Sequence, residues 1–133
     1  MNEAILRDFF TGKVTVQELT RDLEGTIITK ETITYFSITD MDSEFLVKSE
    51  HLIRACDAVL NDELGVDKLR AIGFCLEASD NFCWNSSTED GNRVAAIASY
   101  WSSPEINYPI TIENVVLFKE LLIHGGDPFE SAT

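Results

Sequence analysis

The chain has 133 residues, 23 of them acidic against 10 basic, for a formal net charge of −13. That balance argues against nucleic-acid binding, which draws its affinity from Lys and Arg displacing phosphate counterions. It also argues against recruitment to an anionic membrane surface, which needs basic clusters. With 44% hydrophobic residues and eight Phe, the acidity sits on a folded body rather than a disordered tail, and the length fits one domain over 1–133.

Residues 1–8 lack a basic n-region and an apolar h-region, so no secretory leader is expected. No run approaches the roughly 18 continuous apolar residues of a membrane span. Cys56, Cys75 and Cys83 are an odd number in apolar surroundings and read as reduced thiols of a cytoplasmic protein. In that compartment the sequon Asn85-Ser86-Ser87 carries no meaning.

The first elements form a helical hairpin over 1–25. Ile5, Leu6, Phe9 and Phe10 recur at helical spacing, and Gly12 sits where a glycine ends such a helix. Thr15 and Glu18 have the spacing of a capping box ahead of Val16, Leu19 and Leu23, and Gly25 is the expected stop. Residues 26–39 are β-branched and aromatic. A small β-hairpin turning at Lys30-Glu31 is one reading; an extended crossover or a helix formed against its propensity are the others.

The main bundle is expected over 45–125. Ser49 reads as an N-cap ahead of the stripe Leu52, Ile53, Cys56, Val59, Leu60 and Leu64, with Gly65 ending that helix. Leu69, Ile72, Cys75 and Leu76 mark the next helix, from about 66 to 79. Residues 85–92 are polar and loop-like, and Val94, Ile97, Ala98 and Trp101 form a third stripe. Pro104 and Pro109 bracket a connector. Thr111 caps a last helix whose Val115, Phe118, Leu121 and Leu122 face the core, with Gly125-Gly126 ending it and 126–133 as a frayed tail. The fold class is therefore mainly α, a compact bundle of about five to six helices. Phe9-Phe10, Val14, Val16 and Leu19 are echoed 50 residues later by Val59-Leu60, Leu64, Val66 and Leu69. Two short helical hairpins produce such an echo without forming a solenoid.

Catalytic and metal motifs are missing. There is no Gly-x-Ser-x-Gly and no Gly-rich phosphate loop, and the histidines His51 and His124 fall in the first and last turns of helices. Seven residues separate Cys75 from Cys83, which is not a zinc-knuckle spacing. Asp40, Asp42 and Glu44 alternate as in a calcium loop, but Phe45 stands where the turn glycine belongs and His51 where the closing glutamate belongs. The expectation is a protein without a cofactor and without enzymatic activity.

The acids cluster. Asp40, Asp42, Glu44, Glu50, Asp57, Asp62, Glu63 and Asp67 face only Lys48 and Arg54 in the same stretch; Glu77, Asp80, Glu89 and Asp90 face no base between them. Such clusters serve either as a solvated face or as a docking surface for a cationic protein. Aromatic residues among them favour docking, because Trp and Tyr anchor interfaces while surrounding charge steers association. Trp101 continues an apolar stripe and reads as core. The expected partner-binding residues are Asp62, Glu63, Asp80, Trp84, Glu89, Asp90, Glu105 and Tyr108.

The stretch from Ser49-Glu50-His51-Leu52-Ile53 through Asn107-Tyr108-Pro109-Ile110-Thr111-Ile112-Glu113-Asn114-Val115 resembles small acidic helical bacterial toxin-immunity proteins, of the colicin-immunity or contact-dependent-inhibition type. The resemblance covers about residues 45–123 and rests on the short turn after Leu64, the acidic middle loop and the Pro-Glu-Ile-Asn element before the last helix. It leaves residues 26–39 unexplained. It implies a stoichiometric inhibitor that covers the basic active site of a toxin such as a nuclease. The rival readings are a nucleic-acid mimic, in which carboxylates imitate phosphates, and a small hydrolase using paired carboxylates.

Overall fold

Asn2 starts the first helix by accepting the Ala4 N–H at 2.9 Å through its side chain, and α1 runs Glu3–Phe10 with Leu6, Phe9 and Phe10 buried. Gly12, at φ +80°, turns the chain. The Thr15 hydroxyl then accepts the Glu18 N–H at 3.1 Å to open α2, Val16–Leu23. The computed structural model describes residues 1–24, 27–30, 33–36, 38–126, 128 and 129, and for 27–30 and 33–36 the backbone alone.

Strands β1, Ile27–Lys30, and β2, Ile33–Phe36, pair antiparallel with Ile27 opposite Phe36 and Lys30 opposite Ile33. The β-hairpin reading of this region is therefore the one the backbone adopts. The expected stop at Gly25 and the turn residue Glu31 lie outside the described residues. A second, two-residue pairing joins β3, Phe45–Leu46, in parallel to β4, Phe82–Cys83.

Four longer helices make the body: α3, Ser49–Leu60; α4, Asp67–Ala78; α5, Glu89–Ser102; and α6, Ile112–His124. The main pairings are α4 with α5 and α3 with α6. Asp57 of α3 meets Lys119 of α6, while Gly73 of α4 lies under Trp101 of α5. A Cβ on Gly73 would stand 2.5 Å from Trp101 Cβ and 2.6 Å from Ser102 N, so the missing side chain sets the α4–α5 spacing. Trp101 is fully buried, edge-on to Phe118 at 6.3 Å, as its place in the Val94 stripe predicted. Among the described residues, no helix is long and apolar enough to cross a membrane.

Three boundaries differ from the sequence reading. Ser49 is not the N-cap of α3: Lys48 is, and its N–H is accepted at 2.9 Å by Nδ1 of His51. The Ser49 N–H is taken by the Asp90 carboxylate of α5 at 3.2 Å. Gly65 does not end α3 either. The helix stops at Leu60, and Asp62, at φ +61°, makes the left-handed turn while Glu63 and Leu64 N–H return to the Ala58 carbonyl. Glu89–Asn92, read as loop, form the first turn of α5, capped by the Thr88 hydroxyl on Gly91 N–H at 3.0 Å. At the other terminus, Thr111 caps α6 and Gly125 at φ +83° closes it as predicted.

One buried charge ties the layers together. Glu3 is fully buried, and its Oε1 accepts from Met41 N–H and from Asn81 Nδ2, both at 3.0 Å. Burial pushes its pKa up, but hydrogen bonds from Ser79, Asn81 and Met41 outweigh that and hold the carboxyl below its ordinary range. The contact fixes residues 40–41 against α1 and the end of α4. Of the segment expected between residues 126 and 133, 127 and 130–133 lie outside the described residues. Phe129 stacks on Tyr108 with ring centroids 4.1 Å apart.

Candidate partner-binding surface

Helix α3 places its apolar stripe inward: Leu52, Ala55, Cys56 and Val59 are buried. The same period puts Glu50, Ile53, Arg54, Asp57 and Asn61 outward, because residues three, four and seven apart share a helix face. Against that face, α1 and α2 contribute Phe9 and Val16. The result is a groove of about 500 Å³ with Phe9, Val16, Ile53 and Ala58 as its apolar lining and Glu50, Asp57, Glu63, Asn61 and Arg54 around it. Three carboxylates and one guanidinium border an apolar floor, and one of the carboxylates, Asp57, is already paired with Lys119 at 2.6 Å.

Much of the basic complement is already engaged inside the molecule. Lys119 Nζ lies 2.6 Å from Asp57 Oδ1, and that hydrogen bond and charge raise the lysine's pKa. Arg93 reaches Glu89 at 3.6 Å and the Leu122 and Ile123 carbonyls at the end of α6. Arg70 lies 3.8 Å from Glu105, and Arg7 lies 3.1 Å from Asp8. Asp42, Glu44, Asp62, Glu63, Glu77, Asp80, Glu113 and Glu120 stand exposed. Each of these pairs cancels one acid as well as one base, so the exposed unpaired carboxylates carry the chain's net negative charge.

The eight expected residues do not form one patch. Glu63 lines the α3 groove, with Asp62 beside it in the left-handed turn. Asp90 lines a smaller groove of about 300 Å³ with Leu46, Val47, Lys48, Asn85, Thr88 and Gly91. Trp84, adjacent in sequence to Asn85, is half-buried against the core. Glu89 borders a third depression with Arg93 and His124, and Asp80 is exposed after α4. Glu105 lines a cleft with Arg70, Pro104, Pro109 and Ile110, while Tyr108 is half-buried against Tyr100 and Phe129. Glu89 and Asp90 thus open α5, with Asp80 and Trp84 shortly before it in the chain; Glu105 and Tyr108 follow its end, and Asp62 and Glu63 follow α3 instead. The 14 residues of α5 correspond to about 21 Å between those ends.

Sequence reasoning did not name Glu50, Asp57 or Ile53 as site residues. Ile53 was read as part of the inward stripe and instead lines the groove, whereas for Glu50 and Asp57 the signal was present as a second, polar period on α3. What it could not supply was the other wall, Phe9 and Val16, which comes from chain about 40 residues away.

Among the described residues, no three His, Cys, Asp or Glu side chains are placed to hold a metal ion. Cys56 and Cys75 are buried, with thiol pKa values pushed up to about 12, chiefly by loss of solvent. Compared with known proteins, the chain matches no family model, no curated protein and no solved structure.

Proposed function

We propose that this chain is an acidic binding protein that neutralises a basic protein partner, acting as a stoichiometric inhibitor of the toxin-immunity kind. The observation that carries the reading is the α3 groove: Glu50, Glu63 and the Lys119-paired Asp57 around an apolar floor, on a chain of net charge −13. In a toxin such as a nuclease, Lys and Arg hold the substrate phosphates. Carboxylates that meet those groups occupy the site, and an apolar floor takes the methylene stems. Long-range attraction speeds the encounter, and desolvated contacts set the lifetime of the complex. Chemistry on a substrate has no part in this role, and the site of action is the cytoplasm.

The test is to use the protein as bait in extracts of its own cell, identify the captured protein, and time the association of the purified pair. The partner should be basic and should arrest growth when expressed alone, with growth restored by co-expression of this chain. Association should slow by about tenfold or more between about 0.01 M and about 1 M salt, as the screening length falls from about 30 to about 3 Å. An on-rate indifferent to salt, or a partner whose activity persists in the complex, overturns the reading.

A further inference from the structure

Helix α6 is apolar on two faces. Its inner face, Val115, Phe118, Leu121 and Leu122, is buried. Its outer face carries Ile112, Val116 and Ile123, which stand 50, 42 and 46% exposed. These three, with Lys119, fall at i, i+4, i+7 and i+11, the alternating four-and-three spacing of a coiled-coil seam. The seam is about 16 Å long at 1.5 Å per residue, enough for three turns of an opposing helix. An ordinary surface helix has one apolar stripe and a polar back; a second stripe at seam spacing marks a face built to be covered.

Charge selects the occupant. The positions that follow the seam residues Ile112 and Lys119 on its open side are Glu113 and Glu120, both exposed. Such flanking positions set partner choice in helix pairs through opposite charges. The lone cation of the seam, Lys119, is held at 2.6 Å by Asp57, which also borders the acidic α3 groove. The seam and the groove therefore adjoin across that ion pair. A second copy of this chain, at net charge −13, would set Glu113 and Glu120 against their own kind in an antiparallel pair.

We infer that the outer face of α6 is a docking seam for an amphipathic helix of a basic partner protein, with apolar residues meeting Ile112, Val116 and Ile123 and Lys or Arg meeting Glu113 and Glu120. The inference rests on the reading that the partner is basic, and adds the element by which it is held.

The probe is a synthetic helical peptide of about three heptads, with Leu at its seam positions and Lys flanking them. The full chain should bind one peptide, and Val116→Glu with Ile123→Glu should weaken binding about tenfold or more. The two added negative charges make this decisive. Binding by general electrostatic attraction would tighten in that variant, and unchanged or tighter binding overturns the inference. Glu113→Lys with Glu120→Lys should also weaken it, and binding unaffected by that reversal overturns the charge selection. Circular dichroism of each variant verifies that α6 is intact. Sedimentation of the chain alone should give a monomer; a dimer that Val116→Glu with Ile123→Glu abolishes would reassign the seam to a second copy. The outcomes separate from those of the broader reading. A captured basic partner that binds the seam variant as tightly as the wild type sinks the seam alone. Peptide binding through the seam with no basic partner captured sinks the inhibitor reading alone.

Discussion

The carboxylate of Asp57 on α3 and the ammonium of Lys119 on α6 meet at 2.6 Å, and this ion pair is the border between an acidic groove and an apolar seam. Both side chains keep substantial solvent exposure, so the pair contributes little to folding. Its larger effect is on the surface: it cancels the one positive charge in the seam. Asp57→Asn should leave the thermal midpoint close to wild type while releasing the Lys119 charge. Association with a basic partner should then slow, and a stopped-flow comparison of the two proteins at low salt checks it.

Gly73 gives a sharper stability prediction. A methyl group there meets Trp101 Cβ at 2.5 Å and the Ser102 backbone at 2.6 Å, atoms that cannot rotate away. Gly73→Ala should destabilise by about 1–3 kcal/mol through overpacking. Gly126→Ala is the control, since nothing lies within 4 Å of its Cβ position. Urea unfolding of the two variants measures the difference.

Asp62 is the converse case. It holds a φ of +61°, a region a Cβ disfavours, in a turn that glycine makes without strain. Asp62→Gly should stabilise the fold by about 0.5–1 kcal/mol, even after glycine's greater freedom in the unfolded chain is counted. It also removes one acid beside Glu63, so stability and partner association should move in opposite directions. Paired melting and binding measurements check this.

Acid should weaken the fold through two groups. Burial holds the His51 imidazole below its ordinary value, against the opposing pull of Glu50, and its Nδ1 must stay unprotonated to accept the Lys48 N–H. Between that lowered value and 6.5 the unfolded chain binds more protons than the native one. Stability from His51 is therefore complete above about 6.5 and lost as pH falls through the folded value. Glu3, also lowered, behaves the same way from 4.5 downward. His51→Ala should cost about 1 kcal/mol at neutral pH, the worth of a helix cap, and this cost should shrink as the solution is acidified. Glu3→Gln should flatten only the lower limb. Unfolding free energies of wild type and variants, compared at each pH, test both.

Thiol chemistry should report burial directly. With pKa values pushed up to about 12 and no exposed surface, Cys56 and Cys75 should resist alkylation in the native protein. Half-buried Cys83 should be the one residue modified first, and all three should react in denaturant. Mass spectrometry after a timed alkylation reads the order.

Much of the fold is legible in the order of the residues alone. Inward stripes such as Val94–Ile97–Ala98–Trp101 follow from a 3.6-residue period. Thr15, Thr111, Gly12 and Gly125 mark helix ends because hydroxyl caps and left-handed turns have local causes. The misread boundaries were decided by tertiary packing, in one case by a residue far along the chain. Ser49 looked like a cap, but Asp90, 41 residues later, takes its N–H, and His51 takes the one before it. Gly65 looked like the end of α3, yet Asp62 accepted the strained turn because Leu64, a few residues on, had to reach the core.

The sequence by itself determined the charge of −13, the helical class and which face of each helix is apolar, since these depend on composition and on spacing within one element. Only the tertiary structure decided which charges remain outward, because a Lys such as Lys119 is cancelled by an acid 62 positions away. It also spread the eight expected contact residues over several separate grooves, and brought Glu50, Asp57 and Glu63 around Phe9 and Val16. It left the second stripe of α6 uncovered. Periodicity says that a helix face is apolar; only the packing of the other helices says which apolar face has been used.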